Sequence, residues 1–249
     1  MHWVSRLGES FSNGQLRLYA QPICPVGRPR SGLHYEVLLR IREEADDTVE
    51  PRMFLPVAER YDLMPRVDRW VLQSTVDWLE QQPEHVAALD MCSLNVSQRA
   101  LADEAYRDFA VGQVRAMKLP PTKLCFEITE TGACANLHNT LAFIHGLKDL
   151  GCRFALDDFG TGMASFAYLK QIPVDFVKID GSFITMMTRS RIDFEMVRFT
   201  NEISHVMGRQ TIAEYVGDHA TLRELEGIGV DFAQGYLLGE PRPLALAMH

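Results

Sequence analysis

The stretch "LRLYAQPICPVGRPRSGLHYEVLLRI" (16–41) decides how this chain begins its fold. Its ends, "LRLYAQPI" (16–23) and "HYEVLLRI" (34–41), are short, largely apolar runs of strand type. Little more than "CPVGRPRSG" separates them, too few residues for a crossover helix. Neighbouring parallel strands need a connection of about a dozen residues or more. The first two strands are therefore predicted to be antiparallel.

Six more strand patterns follow: "ALDMCSLNV" (88–96), "KLCFEIT" (123–129), "CRFALD" (152–157), "DFVKID" (175–180), "QTIAEYV" (210–216) and "VDFAQGY" (230–236). Helical periodicity lies between them, over 65–82, 103–118, 137–150, 190–207 and 218–227. Eight strands alternating with helices in 249 residues predict an α/β fold, a modified (β/α)8 TIM-type barrel with an antiparallel first strand. An open doubly wound sheet is the second choice. Residues 1–249 read as a single domain excised from a larger signalling protein.

Composition narrows the function. Hydrophobic residues are 47% and charged residues 23% of the chain, a globular balance, and the formal net charge is -8. That charge argues against a DNA or RNA duplex and an acidic membrane surface as partners. The five cysteines are loosely spaced, with no CxxC, and read as buried free thiols in a reducing cytoplasm. No apolar stretch approaches the roughly 18 residues of a membrane span, and "MHWVSRLGES" lacks the apolar region of a signal peptide. The domain is expected to be cytoplasmic without inserting into a membrane, whether or not its parent protein is anchored. "REEADD" (42–47) reads as a solvated loop, and "GTGMAS" (160–165) lacks the third glycine of a dinucleotide loop.

In such a barrel, chemistry sits at the C-terminal ends of the strands. There the sequence puts Glu36, Asn95, Glu127, Thr129, Asp157, Asp158, Lys178, Asp180, Glu214 and Gln234. One acid in an apolar strand is readily a structural ion pair, but acids on strand after strand beside a single lysine make a strongly negative pocket. Burying them without counter-ions would cost several kcal/mol per unpaired charge. Carboxylates and one amide, without His or Cys, suit Mg²⁺ or Mn²⁺. Five acids exceed the needs of one ion and match a bridged pair, whose usual chemistry is attack of water on a phosphodiester. In "LDDFGTG" (156–162), the glycine turn is expected to bring adjacent Asp157 and Asp158 onto one site.

"YEVLLR" (35–40), "LNVS" (94–97), "FEITE" (126–130), "DDFGTG" (157–162), "KID" (178–180), "AEYVG" (213–217) and "QGY" (234–236) resemble, in order and spacing, the EAL-domain family of bacterial cyclic di-GMP phosphodiesterases. The resemblance runs over about residues 3 to 243. It implies hydrolysis of one phosphodiester bond of cyclic di-GMP to linear pGpG with Mg²⁺ or Mn²⁺. It assigns Glu36, Asn95, Glu127 and Asp157 to the first ion, and Asp157, Asp158 and Glu214 to the second. Lys178 would position the attacking water, Gln234 would orient water or substrate, and Glu130 would pin the loop after "CRFALD". Gln21, Leu38 and Arg40 would line the substrate pocket. A homodimer and attached regulatory domains are further implications. Two departures stand out. The signature Glu-Ala-Leu is Glu36-Val37-Leu38 here, and "AEYVG" has Tyr215 and Gly217 where the family often has Gly and commonly has Glu. A non-catalytic cyclic di-GMP receptor is the alternative function, and an interaction domain with a vestigial site is the third.

Overall fold

The computed structural model of the chain describes residues 8, 10–11, 13–29, 32–42, 48–162 and 166–246, without the side chains of 166 and 167. The expected loop at 43–47 and the end of "GTGMAS" at 163–165 lie outside these residues, as does most of the N-terminal "MHWVSRLGES". Among the described residues, ten strands form one sheet: β1 (Leu16–Pro25), β2 (Leu33–Arg42), β3 (Thr48–Val49), β4 (Leu89–Val96), β5 (Leu124–Thr129), β6 (Arg153–Phe159), β7 (Phe176–Ile179), β8 (Gln210–Ala213), β9 (Phe232–Gln234) and β10 (Arg242–Pro243).

Strands β2, β4, β5, β6, β7, β8 and β9 pair in that order, each parallel to the next. β1 closes the ring by pairing antiparallel with both β2 and β9. The result is the expected eight-stranded modified barrel rather than an open sheet, with β3 and β10 as short additions at its edges. The short 26–32 connection leaves β1 no parallel alternative.

Strand alternation sorts the side chains into two layers. Outward residues such as Val37, Leu94, Phe126, Phe154 and Val177 form one large core with the surrounding helices. Inside the barrel, Ile23, Met91, Cys125, Ala155, Phe176 and Ile212 make an apolar plug. Two residues further on, the inward positions are Ser93, Glu127, Asp157 and Lys178 on β4 to β7, and Glu214 just past the end of β8. The apolar plug is therefore the floor on which the polar site stands.

The outer helices Met64–Glu80, Glu104–Ala116, Leu137–Lys148, Arg191–Val206 and His219–Ile228 fall where periodicity predicts them. A ten-residue helix at Pro51–Arg60 and shorter ones at Pro83–Ala88, Gln98–Ala102, Phe166–Gln171 and Gly181–Ile184 are additional. In the shorter ones, few turns give little period to read. All five cysteines are free, and four are buried. Among the described residues, no helix is long and apolar enough to cross a membrane.

Helix Met64–Glu80 also buries an acid. The Asp68 carboxylate accepts the Ser97 backbone N–H at 3.2 Å and its hydroxyl at 2.5 Å. Burial nevertheless pushes the Asp68 carboxyl from 3.8 up to about 7, against the pull of those bonds. A raised folded value gives stability that is fully present below 3.8 and is lost as pH rises through about 7. Asp68→Asn is expected to flatten the fall in unfolding free energy between those two values. Urea titrations at several pH values check this; an unchanged slope contradicts it.

Candidate active site

The polar positions converge at the C-terminal ends of the parallel strands. Lys178, fully buried on β7, is their centre. Its Nζ lies 2.6 Å from Glu127 Oε2 on β5, 2.9 Å from Glu214 Oε1, 3.1 Å from Asp157 Oδ1 on β6, and 3.6 Å from Glu36 Oε2 on β2. The register accounts for much of this. Asn95 stands beside Glu127, Thr129 beside Asp157, and Gln21 beside Glu36.

The amides complete the ring. Asn95 Nδ2 donates to Glu36 Oε1 at 2.6 Å. Gln234 Nε2 donates to Glu36 Oε2 at 2.7 Å and to Gln21 Oε1 at 3.1 Å. Two neighbouring positions have other work. Thr129 and Asp180 cap helices, accepting N–H bonds from Gly132 and Ser182.

Asp158 reaches the site through a break in the strand. Between Leu156 and Phe159, β6 has one residue more than β7 has between Val177 and Ile179. Asp158 takes the extra position with a left-handed φ of 54°, the signature of a bulge. A regular strand would send it outward, away from Asp157. The convergence therefore begins at Asp158 itself, not in the following "FGTG" as expected. Carboxylate oxygens of Asp157, Asp158 and Glu214 all lie within 4.8 Å of one another. The loop beyond is held by Glu130, whose Oε2 accepts the N–H groups of Gly160 at 2.8 Å and Gly162 at 3.4 Å.

One ammonium does not balance five acids. Burial, with help from Glu36 and Asp157, pushes Glu127 up to about 8 despite Lys178. Glu214 is likewise raised, first by burial and then by Asp157 and Glu36. Asp158 rises to about 6 through burial and the charges of Asp157 and Asp180. Burial disfavours charge on Lys178, but the surrounding acids outweigh it and raise its pKa. Glu127 Oε1 and Gln234 Oε1 are buried without a hydrogen-bond partner. Unpaired oxygens among crowded carboxylates fit hard divalent cations, which take oxygen ligands.

Above the ring a cleft of about 640 Å³ opens to solvent. Gln21 of β1 and Leu38 and Arg40 of β2 line it, and Glu36, Leu38 and Arg40 share one face of β2. Arg40 donates to its neighbour Leu39 O at 2.9 Å and lies 5.6 Å from the Tyr19 ring centre. The cleft also takes Arg52 from the first turn of helix Pro51–Arg60 and Glu50, Tyr236 and Pro241 from irregular segments. No periodic pattern marks these residues in the sequence.

Fold and site together define a modified TIM-type barrel with an acid-rich pocket at the C-terminal ends of its strands. The chain belongs to the EAL-domain family: residues 4–241 match the model of the EAL domain. Cyclic di-GMP phosphodiesterase PdeB of Shewanella oneidensis is 38% identical over 98% of this chain and 28% of its own length. Cyclic di-GMP phosphodiesterase PdeF of Escherichia coli is 33% identical over 97% of this chain and 32% of its own. The chain thus spans about a third of these curated relatives. Among solved structures, the PaMucR phosphodiesterase in complex with c-di-GMP matches with a TM-score of 0.90 and 28% identity, over 98% of this chain and 99% of that one. The Pseudomonas aeruginosa FimX EAL domain bound to c-di-GMP matches with a TM-score of 0.88 and 28% identity, over 97% and 96%.

Proposed function

We propose that this chain hydrolyses one phosphodiester bond of cyclic di-GMP to linear pGpG with two divalent ions, Mg²⁺ or Mn²⁺. The observation that carries the reading is the complete ring of Glu36, Glu127, Asp157, Asp158 and Glu214 with Asn95 around Lys178. Curated phosphodiesterases of cyclic di-GMP support the choice of substrate.

Glu36, Asn95, Glu127 and Asp157 would hold one ion. Asp157, Asp158 and Glu214 would hold the other, with Asp157 shared. When bound, such ions supply Lewis acidity toward phosphate oxygens and make water more acidic. The chain's own groups do the rest. Lys178 donates hydrogen bonds to the attacking water or to charge gathering on the phosphate. Gln234, tied to Glu36 and Gln21, orients water or substrate. The Arg40 guanidinium suits a phosphate oxygen, and Leu38 and Gln21 shape the wall beside it.

Glu130 fixes the loop that follows the Asp pair. Glu130→Ala is expected to lower kcat/KM by about 10–100-fold, the scale for partners that orient metal ligands. Glu130→Gln keeps an acceptor oxygen and should retain more activity. Steady-state kinetics check both; an alanine variant with normal kcat/KM removes the role.

The parent protein is proposed to be larger and cytoplasmic in this part, with regulatory domains attached and a homodimer as its working form. Linear pGpG should appear with Mg²⁺ or Mn²⁺ and stop on chelation. Cyclic di-GMP that stays bound and uncut for hours would instead make the chain a receptor.

A further inference from the structure

Tyr215 is a bulky residue in a conformation that favours glycine, with φ of 55° immediately after Glu214. Yet 70% of it is exposed, and it lines the cleft above the acids. The ring rests on bare backbone: a Cβ at Gly181 would run into it. Its loop is also clamped. Val216 N–H donates to Gln234 O at 3.0 Å, and Leu237 N–H donates to Val216 O at 3.2 Å. Gly235 packs directly on the Val216 backbone, leaving no room for a side chain there. A strained backbone thus holds an aromatic ring over the cleft where burial does not explain it. Strain kept at such a place points to function.

We propose that Tyr215 is a substrate-positioning residue whose ring stacks on one purine base of the bound dinucleotide. The inference rests on the dinucleotide substrate proposed above. The acids beneath Tyr215 repel phosphate, and its ring offers phosphate no pairing charge. A flat, uncharged heterocycle is the part of such a ligand that matches an aromatic face. Tyr236, 65% exposed on the bonded loop, lines the same cleft. Holding one base would align the scissile phosphate over the acids, so the effect belongs mainly in KM.

Kinetics with cyclic di-GMP on the full chain test this. Tyr215→Gly removes the ring and relieves the backbone, so its thermal midpoint should not fall. Its KM should rise about tenfold or more, the scale of one lost base–aromatic stack, with kcat changed less than about threefold. Tyr215→Phe keeps the ring and should stay within about twofold of the unmodified chain in KM. A Tyr215→Gly KM within that same factor overturns the proposal. So does a fall in kcat alone, or a Phe variant as impaired as the Gly variant. If the unmodified chain neither binds nor cuts cyclic di-GMP, the proposed function fails first.

Discussion

Asp157→Ala is expected to lower kcat for cyclic di-GMP hydrolysis by about 10³-fold or more, the upper range for one electrostatic group in an active site. Asp157 stands where the two halves of the site meet. Its Oδ1 lies 3.1 Å from Lys178 Nζ, and its oxygens share a 4.8 Å group with Asp158 and Glu214. Removing it takes a ligand from both proposed ions at once. The fold should survive. Asp157 helps push up the pKa of Glu127, Asp158 and Glu214, so its loss relieves repulsion. The cost is the bond it accepts from the Asp158 N–H at 3.0 Å, worth about 1 kcal/mol, and its contact with Lys178, which keeps Glu36, Glu127 and Glu214 as partners. The metal-free thermal midpoint should therefore shift by only a few degrees, of either sign. Product assays and thermal melts measured together check both halves. Full turnover by this variant rules out a shared ligand between two ions.

Lys178→Met is expected to produce the largest loss of stability. Its ammonium is the positive charge in contact with Glu36, Glu127, Asp157 and Glu214. Breaking a buried ion pair by removing one partner costs about 3–5 kcal/mol. For a domain of this size, that lowers the melting midpoint by roughly 6–20 °C. Hydrolysis should also be lost, since no donor then faces the attacking water or the phosphate. The damage should grow with pH, because the acids ionise with no cation among them. Saturating Mg²⁺ should restore much of the melting temperature, by mass action on a site that only the folded chain offers. It should not restore hydrolysis. Differential scanning calorimetry with and without Mg²⁺ checks this. A variant as stable as the unmodified chain without metal means that Lys178 does not balance the acids.

Much of this architecture is legible in the residues because two simple periods carry it. Glu36, Leu38 and Arg40 alternate with Val37, Leu39 and Ile41 on β2, so the cleft wall and the outer core separate on sight. Acids inside otherwise apolar strands mark the pocket, since burial of so many like charges needs a compensating cation. Features set by backbone conformation are hidden. That Asp158 would adopt a left-handed φ and form a bulge is not written in "LDDFGTG", where the glycines draw attention to a later turn. Tyr215 shows as an unusual residue after Glu214, but its perch on Gly181 depends on a contact across 34 positions of sequence. Asp68 lies within an amphipathic helix, and its burial against Ser97 is a tertiary event. The short helices between strands have too few turns to show a period.

In the proposed site the bulge at Asp158 would turn one ring of acids into a place for two cations, and counting bound ions tests that directly. Mn²⁺ titrated into the chain, followed by calorimetry and by the electron paramagnetic resonance of free Mn²⁺, should show two ions per chain. Asp158→Ala should bind one. A single ion in the unmodified chain, or two retained without Asp158, would contradict the account.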